Sequence, residues 1–188
     1  DYTYQNITVE GKLARRLFTG DFEIRDPNAD LHLNGTVDLT GPKPLFNVTA
    51  DINDANLQQL QISPQDIRLK GKFDLNLEAS SLSDMLGTAS IREATLYSNG
   101  KEINVDSLVV SSSYVDGLKR LRAVANEFDA TIDGDFDLAA LPDAFTLFLS
   151  RYYPAYITPP RSVKQQVFTF NISTGSVDDY VKLIEPRL

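Results

Sequence analysis

The stretch at residues 67–79 reads IRLKGKFDLNLEA. Ile67, Leu69, Gly71, Phe73, Leu75, Leu77 and Ala79 take the odd positions, and Arg68, Lys70, Lys72, Asp74, Asn76 and Glu78 the even ones. Successive side chains of a strand point to opposite faces, so this alternation predicts one long strand with a dry face and a wet face. Wound as a helix, the same apolar residues would surround the axis and define no face.

The core of that stretch recurs. LKGKFDL at residues 69–75 is matched by FTGDFEI at 18–24, LNGTVDL at 33–39 and IDGDFDL at 132–138, with a fragment, VEGKL, from Val9. The shared glycines fall at 20, 35, 71 and 134, with intervals of 15, 36 and 63 residues. Such spacing describes a recurring strand in one sheet, not a solenoid of fixed period. In each copy Gly shares the apolar side and the acid faces water. An inner-face Gly weakens a strand but lets it bend or lets another chain approach closely. Repeated glycines of this kind are expected to help one sheet curl over itself.

Composition narrows the function. The 188 residues suit one domain with room for a core. A formal charge of −8 opposes nucleic-acid binding, which needs clustered Lys and Arg. The one basic run, Lys119-Arg120-Leu121-Arg122, reads as a solvated strand face. Zero Cys removes disulfides, thiol catalysis and cysteine-bound metal. No apolar run reaches the roughly 18 residues of a membrane span, so no membrane anchor is recognisable. Beginning at Asp1 without Met, and in what reads as a strand, the chain is expected to be a single groove segment (residues 1–188) of a longer protein.

Along the chain, two alternating strands are expected in the first 25 residues, parted near residues 14–16. Strands follow at 30–39 and 45–52, then one or two helical turns at 54–60 with Leu57 and Leu60 inward. A short helix is expected from Ser81 or Ser83 to Gly87, and strands at 88–97, 102–105, 107–115 and 118–124. Asp116-Gly117 between the last two is a hairpin signal. A strand at 127–138 carries the fourth repeat. LPDAFTLFLSRYY at 141–153 has the apolar spacing of an amphipathic helix. A strand at 167–172 and a capped helix at 178–184, opened by Ser176-Val177-Asp178-Asp179, complete the reading.

Catalytic equipment is sparse. His32 is the single histidine and lies on the polar side of its strand, which leaves no His-rich metal site and no hydrolase triad. Glu23, Asp38, Asp74 and Asp137 occupy outward repeat positions, where paired acids do not converge. No phosphate-cradling GxxxxGK[ST] loop occurs. The expectation is no enzyme, no cofactor and no metal. Four N-x-[ST] matches, at Asn6, Asn34, Asn47 and Asn171, read as polar strand positions. The apolar face itself has two readings. It closes against a second sheet as a β-sandwich spacer or interaction module, or it stays a trough for acyl chains. A third possibility is that exposed strand edges pair with a client strand.

The repeats, with the LSDMLG segment from Leu82, the ATIDGDF entry at Ala130 and the FNI strand followed by DDYVKLIEPRL, resemble the AsmA-like superfamily and, within it, TamB-like translocation and assembly proteins. The resemblance covers most of residues 31–184. It implies a mainly β fold, an elongated, curled antiparallel sheet (a β-taco groove) with an apolar inner face and a few short helices. It also implies a periplasmic segment of a Gram-negative envelope protein anchored in the inner membrane. Its expected partners are phospholipid acyl chains and an outer-membrane barrel protein or nascent outer-membrane strands. Its expected role is phospholipid transport between the two membranes, outer-membrane protein assembly, or both. The expected lipid-binding lining is Phe22, Ile24, Val37, Leu39, Phe73, Leu75, Leu77, Phe136 and Leu138, joined by Phe168 and Phe170.

Overall fold

A computed structural model describes residues 2–98 and 100–175. The expected C-terminal helix at 178–184 lies outside the described residues. Ten strands form one antiparallel sheet whose spatial order is the chain order. They are β1 (Ile7–Ala14), β2 (Leu17–Asp26), β3 (Ala29–Asp38), β4 (Leu45–Asn56), β5 (Ile67–Glu78), β6 (Leu86–Ser98), β7 (Lys101–Val115), β8 (Leu118–Ala125), β9 (Phe128–Asp135) and β10 (Val167–Thr174). One helix, α1 (Leu141–Tyr152), and two 3-10 turns, Leu82–Asp84 and Leu138–Ala140, complete the described elements. The fold class is as the sequence predicts: mainly β, a single open sheet, with β1 and β10 as its free edges.

The sandwich alternative fails on this topology, because every described strand belongs to one sheet and no second sheet covers it. Packing agrees. The chain exposes 12570 Å², whereas a compact monomer of this length exposes about 9,000 Å². Among the described residues no large side chain is completely buried.

Two bulges shape the middle of the sheet. Opposite the single residue Lys70 of β5, β4 places both Asn53 and Asp54, and the register shifts between Ile52 and Ala55. On the other flank of β5 the register to β6 shifts between Lys70 and Lys72, with Glu93 at φ 50°. An extra residue bends its strand and increases its twist. It also moves the alternation by one, so Ile52 and Ala55 in β4, and Ile91, Ala94 and Leu96 in β6, all stay on the face of Phe73.

The strand boundaries differ from the sequence reading where these bulges intervene. Residues 54–56 expected as helix extend β4, and a turn follows in which Leu57 and Leu60 do face inward. The pieces at 102–105 and 107–115 are one fifteen-residue strand, β7. Residues 136–138 leave the sheet, since β9 ends at Asp135.

Candidate apolar groove

Cross-strand partners share a face, so the register defines what lines each side of the sheet. One transverse row runs Phe22, Leu33, Ala50, Phe73, Ile91, Leu108, Ala125. The next runs Gly35, Val48, Leu75, Ala89, Val110, Ala123, Ala130, Ile172. The apolar face therefore continues from β1 to β10. Most of its side chains, including Phe22, Val37, Phe73, Leu75 and Leu77, are half-buried. Their partial exposure follows from the missing second layer.

The opposite face carries cross-strand ion pairs: Arg68 with Asp54, Arg92 with Asp74, Lys72 with Glu93 at 2.6 Å, Arg120 with Asp133 at 2.6 Å and Arg122 with Asp129 at 2.6 Å. Such exposed pairs add little to stability, because solvent screens them, and chiefly keep this face wet. His32 stands here too, its Nε2 3.0 Å from Asp21, and Asn34 also donates to that carboxylate at 2.9 Å. These two contacts, Asn34 first, hold the Asp21 carboxyl below its usual range.

The two ends of the groove are built differently. At one end Ile24, Ala29, Ala55 and Leu60 form a small closed core against Tyr2, Phe22, Leu31, Ile52, Leu57 and Leu69. Tyr2 stacks edge-on to Tyr4 at 5.0 Å and donates its hydroxyl to Asp26. Asp26 further accepts from the backbone of Gln5 and Asn28, each at 2.9 Å. The Tyr2 hydroxyl, followed by these two N–H groups, lowers the Asp26 pKa against the opposing effect of burial.

At the other end β9 gives way to the 3-10 turn and α1, which crosses back over β10. Phe145 meets Phe168 at 5.8 Å and Phe170 at 5.5 Å, and Phe148 meets Phe170 at 6.2 Å. A cleft of about 370 Å³ remains between α1 and β10, lined by Phe145, Phe148, Gln166, Phe168 and Phe170 among others. Among the described residues, only this edge of the apolar face is roofed by a helix.

The register brings eight of the eleven expected lining residues to one face: Phe22, Ile24, Val37, Phe73, Leu75, Leu77, Phe168 and Phe170. Ile24 belongs to the closed core, not to an open lining. Leu39 lies just past β3, its N–H donating to Arg16 at 2.9 Å. Phe136 and Leu138 are off the sheet. Phe136 is buried against Phe168 at 6.2 Å, and Leu138 opens the second 3-10 turn. Leu33, Phe46, Val48, Ile91, Leu108 and Val110 share the face and were missed as lining. Phe46 and Val48 had signalled it by their alternation.

Two polar expectations are corrected. Lys119 is not on a solvated face: it pairs with Tyr114 and Gly134 on the apolar side and is 5% exposed. Arg120 and Arg122 alternate to the wet face as expected. Asp137 does not face open solvent either. It accepts from Ser83, from Lys164 at 3.1 Å and from the Ala139 N–H at 3.1 Å, tying the two 3-10 turns to the 163–166 segment. No family model matches the chain, and no curated protein and no solved structure matches it.

Proposed function

We propose that the chain is a groove segment that shields acyl chains from water, as part of phospholipid transport between the two membranes of a Gram-negative envelope or of outer-membrane protein assembly. One observation carries this reading: among the described residues the apolar face continues across the sheet with no second sheet over it, and α1 roofs only the β10 edge. Shielding apolar area is worth about 25 cal/mol per Å², or about 0.8 kcal/mol per methylene. A continuous half-exposed lining therefore lowers the free energy of an acyl chain in transit, with no reactive group needed. The AsmA-like resemblance supplies the envelope setting, the inner-membrane anchorage and the periplasmic location as parts of the same proposal.

The test is lipid extraction and mass spectrometry of gently purified protein, beside a Leu75→Asp variant. Leu75 sits mid-groove between Val48 and Ala89. The expected outcome is stoichiometric phospholipid on the wild type and at least a tenfold reduction in the variant, with the far-ultraviolet β spectrum unchanged. A lipid-free, stable wild type rejects the proposal. The free edges β1 and β10 favour a second reading, in which a client strand adds to the sheet. That reading predicts capture of an extended peptide by a protein that carries no lipid.

A further inference from the structure

A lysine buried on an apolar face needs an explanation, because Lys is almost never fully buried unless paired. Lys119 is 5% exposed, and among the described residues its Nζ makes one hydrogen bond, to the Ser83 carbonyl at 2.5 Å. The ammonium also lies over the Phe136 ring, 5.7 Å from its centroid. Its three N–H donors thus meet one oxygen and one aromatic face. Burial pulls the Lys119 pKa down, while the nearby carboxylates of Asp84 and Asp137 push it up and Lys43 opposes them.

These carboxylates are engaged elsewhere. Asp84 is held by the Ser80 and Ser81 backbone and by Lys43 at 3.5 Å, and Asp137 by Ser83 and Lys164. A cavity of about 540 Å³ opens beside Lys119, with Tyr114, Gly134, Phe136, Lys164 and Gln166 in its wall. Gly134, in its wall, lets β9 and β10 approach closely. At φ +150° it lies flat between Lys119 and Phe168, and a Cβ there would sit 2.6 Å from the Phe168 Cα.

A second observation points the same way. Gln166 accepts the Asp137 N–H at 3.0 Å, but its Nε2 is buried with no partner among the described residues. A buried donor left unpaired bears its desolvation penalty with nothing to offset it. Two under-satisfied donors, one of them cationic, therefore border one cavity at the end of an apolar face.

We propose that this cavity is a head-group site for an anionic amphiphile: an oxyanion, carboxylate or phosphate, binds Lys119 Nζ while the attached acyl chain lies along the apolar face past Phe136 and Phe168. The site rests on the groove reading and adds a polarity to it, since the ligand enters with its charged end at Lys119. Two carboxylates border the cavity: Asp137, whose charge is paired with Lys164 at 3.1 Å, and Asp135, which is exposed on the alternate strand face from Gly134.

The experiment measures binding of 11-(dansylamino)undecanoate and of its methyl ester to the full chain at pH 7, in wild type and in Lys119→Met. Wild type is expected to hold the acid at least tenfold tighter than the ester. Lys119→Met is expected to bring the two within twofold while ester binding stays unchanged. Equal wild-type affinities overturn the head-group site and leave the groove standing, a result that needs no variant to fold. Binding of neither probe removes the groove reading and the site with it. Retention of the acid preference by a folded Lys119→Met protein places the anion elsewhere and overturns the assignment. Inorganic phosphate is the third probe. Displacement of the acid by phosphate at equal concentration identifies a free-anion site and overturns the amphiphile; a requirement for at least a hundredfold excess supports it.

Discussion

A methyl group at Gly35 has no room. The residue sits at φ +154°, and a Cβ built there would lie 2.7 Å from the Val48 Cα and closer still to the Asn47 carbonyl oxygen. Its pairing with Gly20 brings β2 and β3 together along a row with no side chain on either strand. Gly35→Ala is therefore expected to cost about 2 kcal/mol or more, through both the conformation and the clash. Gly41→Ala, where the nearest atom is 3.6 Å away, is expected to stay within about 0.5 kcal/mol of wild type. Urea midpoints at constant slope separate the two. Asp26 gives a pH-dependent counterpart. Its folded pKa is depressed by the Tyr2 hydroxyl and by the Asn28 and Gln5 amides. A depressed carboxyl contributes stability above its unfolded value of about 3.9, and that contribution disappears as pH falls through the folded value. Asp26→Asn should therefore be less stable than wild type at pH 7, and the gap should narrow toward pH 3 in paired urea titrations. A gap that is constant with pH would assign the role of Asp26 to shape, not to charge.

Among the elements, unbroken alternation made β5 legible and the strand at 88–97 was read through its bulge, but the bulge in β4 misled the reading. Residues 67–78 of β5 keep a strict period, and their reading as a two-faced strand matches the register on both flanks. In β4 the shift after Ile52 makes Asp54 to Leu60 look helical, because Ala55 and Leu57 resume on the other parity and Leu60 follows in the turn. Asp106, a polar outward residue, split β7 in the reading although the strand runs through it. At Lys119 the period was correct but polarity was taken to decide the face, and the register places that ammonium inside. The α1 helix was readable from its spacing, but its seat was not, since ring contacts to Phe168 and Phe170 join residues far apart in the chain. That seat makes a prediction. Phe145→Ala removes two aromatic contacts worth about 0.5–1.5 kcal/mol each beyond area. Amide hydrogen exchange at residues 142–152 should accelerate at least tenfold while the amides of β4, β5 and β6 hold their protection. Equal acceleration throughout would mean that α1 is part of one cooperative unit with the central strands.

At the scale of the whole molecule, the proposed function requires the sheet to stay open. Ten strands spaced about 4.8 Å apart make a surface about 43 Å wide along the hydrogen-bonding direction, and a residue in a strand advances about 3.3 Å. The longest strand, β7 with fifteen residues, therefore runs about 50 Å. An ordinary compact domain of this length has a radius of gyration near 16 Å. The described residues form one layer of sheet with a single helix at one edge, and such an arrangement must exceed that value. Solution scattering of the monomer is expected to give a radius several ångströms larger than the compact value, and little change when amphiphile fills the groove. The Leu75→Asp variant should scatter like wild type, since Leu75 is half-buried and its cross-strand partners are Val48 and Ala89. A radius near 16 Å for the wild type would mean that the groove collapses on itself in water. The apolar rows would then be a core, and acyl chains would have to open it against the free energy that the open sheet leaves unspent.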